Sequence, residues 1–147
     1  MPVEIKYISS GETIDLRHLV LRQGRPRNSS HMKGDHLKST KHIGAFIDSK
    51  CVGVLSLFLA STDQLSNLSQ YQLRGMAVDP EHRKKNIGRK LASFSENELR
   101  SRNVEVIWCN AREIAVNFYK KLDFEVISDE FHIPDVGPHY VMYKRLS

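Results

Sequence analysis

Five cationic side chains and one glycine lie within the stretch DPEHRKKNIGRKL, residues 79–91. A strand-like run ends just before this stretch, and a helical pattern begins at Asn86. The first amides of a helix have no acceptor within the helix and lie at its positive end, so such a terminus can bind phosphate. Gly88 has no Cβ and would let the backbone approach an anion closely. The stretch predicts an anion site, although it also fits a solvated helix start with ordinary surface lysines.

Main-chain amides would dominate the binding free energy of such a site. The helix dipole contributes only about 0.3–1 kcal/mol, whereas a charge-assisted hydrogen bond contributes about 1.5–3 kcal/mol. Several amides converging on one diphosphate are therefore expected to hold it, with the lysine and arginine side chains as a weaker field. Two familiar phosphate motifs are not present, because the sequence contains neither GxxxxGK[ST] nor GxGxxG after a strand.

The composition is that of one ordinary globular domain spanning residues 1–147, with 40% hydrophobic residues. The apolar run 51–60 is about half as long as a membrane span, and the N-terminus does not resemble a signal peptide. Cys51 and Cys109 lie in apolar runs without CxxC spacing, which predicts buried thiols, no disulfide and no metal site. We expect a soluble, cytoplasmic protein.

The net charge of +5 fits a nucleic acid, an anionic cofactor or simple solubility equally well. The basic clusters at 17–27 and 83–90 do not interleave aromatic residues with cations, as a platform for single-stranded nucleic acid would. The charge alone therefore does not choose a partner.

Hydrophobic periodicity predicts alternating strands and helices with a long loop at 23–41. A capping-box pair, Ser9 and Glu12, opens a first helix through about Leu21, and Asn110 with Glu113 is expected to cap a last helix ending at Lys121. The last helix should bury Ala115, Phe118, Tyr119 and Leu122. A third, amphipathic helix covers 86–102. The predicted strands cover 3–8, 42–48, 51–60, 71–78, 104–110, 124–128 and 138–146, with a hairpin between the second and third.

Two of these segments resemble the GCN5-related N-acetyltransferase (GNAT) superfamily. The segment MAVDPEHRKKNIGRKL resembles its strand, phosphate-binding turn and helix, and NAREIAVNFYKKLDFEVI resembles its late tyrosine-bearing helix. The resemblance covers residues 70–146 well and residues 3–60 only through element order. It implies a single-domain α/β fold in which a mixed, mostly antiparallel central sheet of about six or seven strands is flanked by helices.

The chain departs from the family pattern at three positions. Asn86 and Asp123 occupy positions where the family usually has glycine, and both residue types tolerate a left-handed backbone better than most. Arg112 stands where many relatives carry the asparagine that contacts pantetheine, so Asn110 becomes the replacement candidate for that contact.

The resemblance implies direct transfer of an acetyl group from acetyl-CoA, as co-substrate, to a primary amine without an acyl-enzyme. Pantetheine would pair like an extra strand with the end of the strand at 71–78, where one amide would polarise the thioester carbonyl. The amides of the following turn would hold the pyrophosphate. The implied cofactor-binding residues are Met76, Ala77, Val78, Arg83, Lys84, Lys85, Asn86, Ile87, Gly88 and Arg89.

Tyr119 matches the proposed general acid of the family, which protonates the departing CoA thiolate, although it also suits an aromatic pair packed on the sheet. An alkylamine costs about 4–5 kcal/mol to deprotonate at pH 7, so the reaction needs a base or a water chain. His139 is the first candidate, followed by His132 and Asp35, although a lone histidine at a strand start is more often a surface or structural residue.

The acceptor pocket is expected in the loop that follows the first helix. Arg22 and Arg25 could bind a carboxylate or phosphate bidentately, with Asp35 as a further contact, or the two arginines could simply face solvent. The acceptor is a small-molecule or peptide amine. No nucleic acid and no membrane are expected as partners, and a homodimer through the last strand would fit the family.

Two other functions remain open at this point. The departures at Asn86 and Arg112 also fit a CoA-binding, catalytically inert sensor or regulatory protein. The positive charge by itself fits a nucleic-acid-binding domain, whose binding would fall steeply with salt.

Overall fold

The computed structural model describes residues 2–147, and the chain forms two compact units. The first unit contains the chain up to Phe58 together with Leu73–Asn97, and the second contains Leu59–Gln72 together with Glu98–Ser147. Within the described residues, no helix has both the length and the apolar character needed to cross a bilayer.

Three antiparallel strands begin the first unit: β1 (Glu4–Ile8), β2 (Lys41–Ile47) and β3 (Lys50–Phe58). Asp48 and Ser49 join β2 to β3 with φ values of 48° and 69°. Two successive left-handed residues are typical of the tight turns whose twist matches a hairpin. The predicted hairpin is confirmed, with its turn one residue earlier than the sequence pattern indicated.

The first helical segment begins at the predicted capping box. The Ser9 amide donates to Glu12 Oε1 at 3.0 Å. The segment then changes character along its length, from a 3₁₀ turn (Ser10–Thr13) through α1 (Ile14–Leu16) to a π turn (Arg17–Leu21). Leu16 packs with Val54 of β3 in the core of this unit. The predicted start and end are confirmed, but regular α-helix occupies only the middle.

The amphipathic helix α2 (Ile87–Ser101) matches the predicted range 86–102 within one residue at each end. Its first residue, Ile87, is held against β3 at Gly53, where an added Cβ would lie 2.7 Å from Ile87 Cγ2. Such a distance is shorter than any normal carbon contact, so only glycine allows the start of α2 to sit this close to β3. The packing fixes the position of the turn that precedes α2.

Strand β4 (Gln70–Val78) contributes to both units, and its first residues belong to the second. There, Gln70–Gln72 pair in parallel with the start of β5 (Val106–Arg112). Strand β8 (Gly137–Arg145) pairs antiparallel with β5 along its length and also with the short strands β6 (Glu125–Val126) and β7 (Phe131–Ile133). A core cluster of Leu65, Val106, Trp108 and Val141 lies on this part of the sheet.

The strand order is β1-β2-β3-β4-β5-β8-β6, with β7 paired to β8. This mixed and mostly antiparallel sheet with flanking helices is the α/β fold class predicted from the sequence. It has eight strands among the described residues, because the three-residue strand β7 was too short for the pattern to reveal. The helix α3 (Val116–Lys121) completes the second unit, and short 3₁₀ turns lie at Arg27–Ser30, Asp63–Leu65, Pro80–His82 and Glu113–Ala115.

The predicted cap at Asn110 is wrong. Asn110 lies inside β5, opposite Val141 of β8, and its side chain is exposed. Pairing with β8 continues as far as Arg112, opposite His139, so the helical turn begins only at Glu113. The predicted inner face of α3 is partly wrong as well, since Tyr119 and Leu122 are buried but Phe118 remains 38% exposed.

Candidate active site

The turn between β4 and α2 is anchored at Asp79. Its amide donates to the Val52 carbonyl of β3 at 2.8 Å, and its carboxylate accepts from the Glu81 amide at 2.9 Å. Pro80 follows as the first residue of the 3₁₀ turn, where its missing N–H costs no hydrogen bond. The end of β4 is therefore fixed by one hydrogen bond to β3 and by a second one within the turn that follows.

The backbone after this anchor has left-handed residues at Lys84 and Asn86, with φ values of 68° and 60°. Left-handed residues set between others turn successive N–H groups toward a common concavity that can bind an anion. The prediction that Asn86 tolerates the conformation of the family glycine is confirmed here. The same prediction for Asp123 is confirmed by its φ of 71°.

Helix α2 starts directly from this turn. The Asn86 carbonyl accepts from the Lys90 amide at 3.0 Å, which makes it the first intrahelical acceptor. The amides of Ile87 and Gly88 precede that bond and point along the helix axis toward the turn. Ile87 and Gly88 are buried, whereas five neighbouring side chains are exposed to solvent: Arg83, Lys84, Lys85, Asn86 and Arg89.

The end of β4 carries the other residues predicted to contact the cofactor. Ala77 is buried with Leu16 and Val54, while Met76 and Val78 are half-buried. Gly75, just before them, has a φ of 68° and interrupts the regular strand. The first unit thus brings Met76–Val78 and the 83–89 turn together on one continuous strand, turn and helix.

A buried charged network lies beside Gly75. The Arg17 guanidinium donates to both oxygens of Asp35, at 2.8 Å and 3.1 Å, and the two side chains are 0% and 1% exposed. Arg17 also donates to the Ser30 carbonyl at 3.1 Å and to Ser56 Oγ at 2.9 Å. The long loop between α1 and β2 is therefore tied to the interior through one arginine.

His42 closes the network. One of its ring nitrogens, Nε2, lies 2.9 Å from the Asp35 carbonyl, which can only accept, so Nε2 carries the proton. Nδ1 then accepts from Ser56 Oγ at 2.6 Å, and Ser56 in turn accepts from Arg17. Both ring nitrogens of His42 thus have partners, which fixes the histidine tautomer.

The pKa of Asp35 is set by competing causes. Burial by itself raises the pKa, but hydrogen bonds from Arg17 and the Met32 amide, together with the electrostatic effect of the nearby Arg17 and His42 side chains, leave the pKa below its ordinary value. From the sequence, Asp35 was predicted to be an acceptor contact or a base. The structure instead makes it the interior partner of Arg17, with no exposed oxygen for a substrate.

Arg17 Nε has no hydrogen-bond partner among the described residues. A Cβ added at Gly75 would lie 3.2 Å from this nitrogen and 3.3 Å from Met32 Cε. Both the left-handed backbone and the close approach of these two side chains therefore favour glycine at position 75.

Tyr119 is buried in the second unit, in edge-to-face contact with Phe118 and Phe124 at centroid distances of 5.1 Å and 5.4 Å. Burial, with a smaller effect of Cys109, raises the pKa of its phenol well above the ordinary value. Burial also raises the pKa of the Cys109 and Cys51 thiols. Tyr119 thus has the packing expected of a core residue and is fully protonated at neutral pH.

His139 is also buried in the second unit, at 4% exposure. Its Nδ1 lies 2.8 Å from the Gly137 carbonyl and must donate to it, which leaves Nε2 as the basic nitrogen of the neutral ring. The ring of Phe131 lies 5.8 Å away. His132, the second candidate base, is exposed on β7.

The predicted acceptor arginines lie at the start of the long loop. Arg22 is half-buried and follows the π turn, and Arg25 is exposed, with its carbonyl bonded to His18 Nε2 at 2.8 Å. The sequence pattern did not reveal the role of Arg17 or that of Arg74. The segment YQLRGMAV places Arg74 directly before a glycine inside a predicted strand. A glycine in a strand indicates a bulge, so the sequence indicated a bulge beside a cation at this position.

Known proteins similar to this chain show its family. Residues 14–124 match the model of the acetyltransferase (GNAT) family. The uncharacterised N-acetyltransferase YitI of Bacillus subtilis (strain 168) is 35% identical over 144 residues, which are 98% of this chain and 97% of YitI.

Solved structures share the fold at low identity. The crystal structure of an aminoglycoside 6'-N-acetyltransferase complexed with coenzyme A is 16% identical, with a TM-score of 0.79 over 98% of this chain and 97% of that one. The ribosomal-protein-S18-alanine N-acetyltransferase of Escherichia coli is 15% identical, with a TM-score of 0.74 over 99% and 95%. Their acceptors differ widely, so the shared fold does not define an acceptor.

Proposed function

Because this chain belongs to the acetyltransferase (GNAT) family, we propose that it transfers the acetyl group of acetyl-CoA directly to a primary amine. The observation that carries the proposal is the turn before α2, where left-handed residues at 84 and 86 precede a helix start anchored on β3. This backbone can present several amides to one diphosphate. Acetyl-CoA is the co-substrate.

The diphosphate would bind the amides of residues 83–89, with the exposed cations of that turn as a secondary field. Pantetheine would pair with β4 at Met76–Val78. Beyond Gln72, the main-chain groups of β4 are not used by the parallel ladder to β5. One amide of this segment would donate to the thioester oxygen, where negative charge develops as the amine attacks.

Proton transfers complete the proposed reaction. The attacking amine loses a proton to a base, for which His139 Nε2 remains the candidate, and the C–S bond breaks as the C–N bond forms. Tyr119 would return a proton to the CoA thiolate. Asn110 is exposed on β5 and remains the candidate for the pantetheine amide contact.

Calorimetry with CoA and acetyl-CoA, followed by a thiol-release screen over diverse amines, tests the proposal. We expect saturable binding of both ligands and amine-dependent release of CoA. Binding without release for every amine would favour a CoA-binding sensor. No heat and no thermal protection from either ligand would contradict the whole assignment.

Asn86 provides a matched pair of variants for the anion site. Asn86→Gly should bind CoA as the wild type does, because glycine adopts φ of 60° freely. Asn86→Val should weaken CoA binding about 5- to 30-fold, since a left-handed backbone costs most residues about 1–2 kcal/mol, whereas glycine and asparagine adopt it routinely. Titration calorimetry measures both dissociation constants. Equal affinities for the two variants would show that the turn conformation does not matter for binding.

His139 can be tested through the pH dependence of kcat/KM. If its neutral imidazole is the base, the wild type loses activity on the acidic side as the ring is protonated, and His139→Ala loses that limb. His132→Ala, at an exposed histidine seven residues earlier, should keep the wild-type profile. An unchanged acidic limb in His139→Ala would remove this residue from the mechanism.

A further inference from the structure

Arg74 is a half-buried cation in β4, and the described part of the chain provides no acidic partner for it. Its Cζ lies 5.3 Å from the centre of the Phe58 ring, a cation–π contact. A cation removed from water is normally compensated by an anion or by several hydrogen bonds. Contact with one aromatic face compensates only part of that cost.

The charges around Arg74 leave a local excess of one positive charge. Burial lowers the pKa of Arg74, and the neighbouring positive charge of Arg17 lowers it further, while Asp35 acts in the opposite direction. The carboxylate of Asp35 is already held by two donors from Arg17. Of the two guanidinium groups near this carboxylate, only Arg17 is paired with it, and Arg74 is left without a paired anion.

The position of Arg74 points to the acceptor rather than to the cofactor phosphates. It directly precedes Gly75 and the segment Met76–Val78, where the thioester would lie under the proposed function. The turn that leads to the diphosphate-binding amides of residues 83–89 begins only after Val78. Val78 is four residues beyond Arg74, or about 13 Å along an extended strand. An arginine side chain at position 74 is thus placed beside the reacting end of acetyl-CoA and not beside its diphosphate.

We propose that Arg74 binds an anionic group of the acceptor, so that the substrate is a small primary amine carrying a carboxylate. This inference rests on the proposed acetyl transfer. A guanidinium whose face is covered by an aromatic ring still has its N–H groups in the plane, and their fork matches the two oxygens of a carboxylate. A phosphate monoester offers the same kind of acceptor, and the experiment includes it separately.

The experiment uses matched amine pairs with acetyl-CoA and the full-length protein. Each pair consists of an amino acid and its carboxamide, or an ω-amino acid and the alkylamine of the same length, and an aminoalkyl phosphate forms a further arm. Thiol release gives kcat and KM for each amine. We expect kcat/KM for the carboxylate member to exceed that of its neutral partner by about 10- to 100-fold, as expected for a charge-assisted bidentate contact.

Three variants assign any preference to Arg74. Arg74→Gln should abolish it mainly by raising KM for the carboxylate, and Arg74→Lys should keep part of it through its charge. Neither should change the dissociation constant of acetyl-CoA. Lys38→Gln, at an exposed cation on the same unit, should leave the preference intact.

Several outcomes would overturn the inference. One is a wild type whose kcat/KM shows no preference for the anionic member of any pair. Another is an Arg74→Gln variant that loses kcat/KM equally for both members of a pair. A third is a weaker affinity of that variant for acetyl-CoA. If the protein preferred only the aminoalkyl phosphate, the group that Arg74 binds would be a phosphate and not a carboxylate. Thermal unfolding separates a folding defect from lost binding, since removing an uncompensated cation should not lower Tm.

Failure of the proposed function would look different. If no amine released CoA, acetyl transfer itself would be contradicted, and the same pairs would then be titrated by calorimetry into protein saturated with CoA. Tighter binding of the anionic member, lost in Arg74→Gln, would support the role of Arg74. Equal binding of both members would overturn it.

Discussion

Asp35→Ala should destabilise the protein by about 3–5 kcal/mol, because it leaves the guanidinium of Arg17 buried and without a counter-charge. Arg17 is 0% exposed and would keep only its bonds to the Ser30 carbonyl and to Ser56. For a domain of this size the loss corresponds to a decrease in Tm of roughly 10 °C. Thermal and urea unfolding of the variant and the wild type measure it.

The chain contains a matched control for this substitution. Asp15 pairs with Arg27 at the surface, where the two side chains are 84% and 59% exposed. Such exposed pairs contribute little because water screens them, so Asp15→Ala should unfold almost as the wild type does. Similar losses for the two variants would mean that burial does not set the strength of the interior pair.

The same pair predicts a dependence on pH. The pKa of Asp35 is lowered in the folded protein, so its contribution is fully present above the unfolded value of about 3.9 and is lost as pH falls through the folded pKa. Below about pH 4 the wild type should lose stability faster than Asp35→Asn. Parallel stability curves for the two proteins in this range would contradict the assignment.

Tyr119→Phe should lower kcat by about 10²- to 10⁴-fold, the usual contribution of a general acid, while acetyl-CoA binding stays intact. Burial raises the pKa of the phenol well above its ordinary value, so the group holds its proton at neutral pH but is a weaker acid than an ordinary tyrosine. The variant keeps the ring and its contacts with Phe118 and Phe124. Thiol release with an active amine measures turnover, and calorimetry measures binding.

Tyr143→Phe on β8 is a suitable control, because it removes a phenol that has no proposed role in the reaction. Its turnover should be close to that of the wild type. If Tyr119→Phe also turned over normally, Tyr119 would be a core residue only. If it lost both binding and stability, its hydroxyl group would serve the fold rather than the chemistry.

Local signals in the sequence predicted the elements that local physics determines. The Ser9–Glu12 capping box, the β2–β3 hairpin and the amphipathic α2 depend on neighbouring residues, and each was found at or near its predicted place. The left-handed conformation of Asn86 was predictable for the same reason, because residue type restricts φ.

Contacts between distant segments were the part that could not be predicted. Asn110 has the residue type and spacing of a helix cap, but β8 pairs with β5 through Arg112 and keeps the strand extended. Arg17 and Asp35 are 18 residues apart across a polar loop, and no periodicity relates them. The sequence around Arg74 indicates only a bulge in a strand, whereas its neighbours Phe58 and the buried Arg17–Asp35 pair come from distant segments.

The hydrogen bonds of Arg17 to Ser30 and Asp35 hold the loop between α1 and β2 to the interior and restrict its movement. Arg17 donates to the Ser30 carbonyl and the Asp35 carboxylate, and the same carboxylate accepts from the Met32 amide. The loop therefore cannot move away without exposing a buried charge pair. Its shape is set before any ligand arrives. Under the proposed acetyl transfer, an amine that binds at this loop would find a preorganised surface, and the loop would lose little conformational entropy on binding.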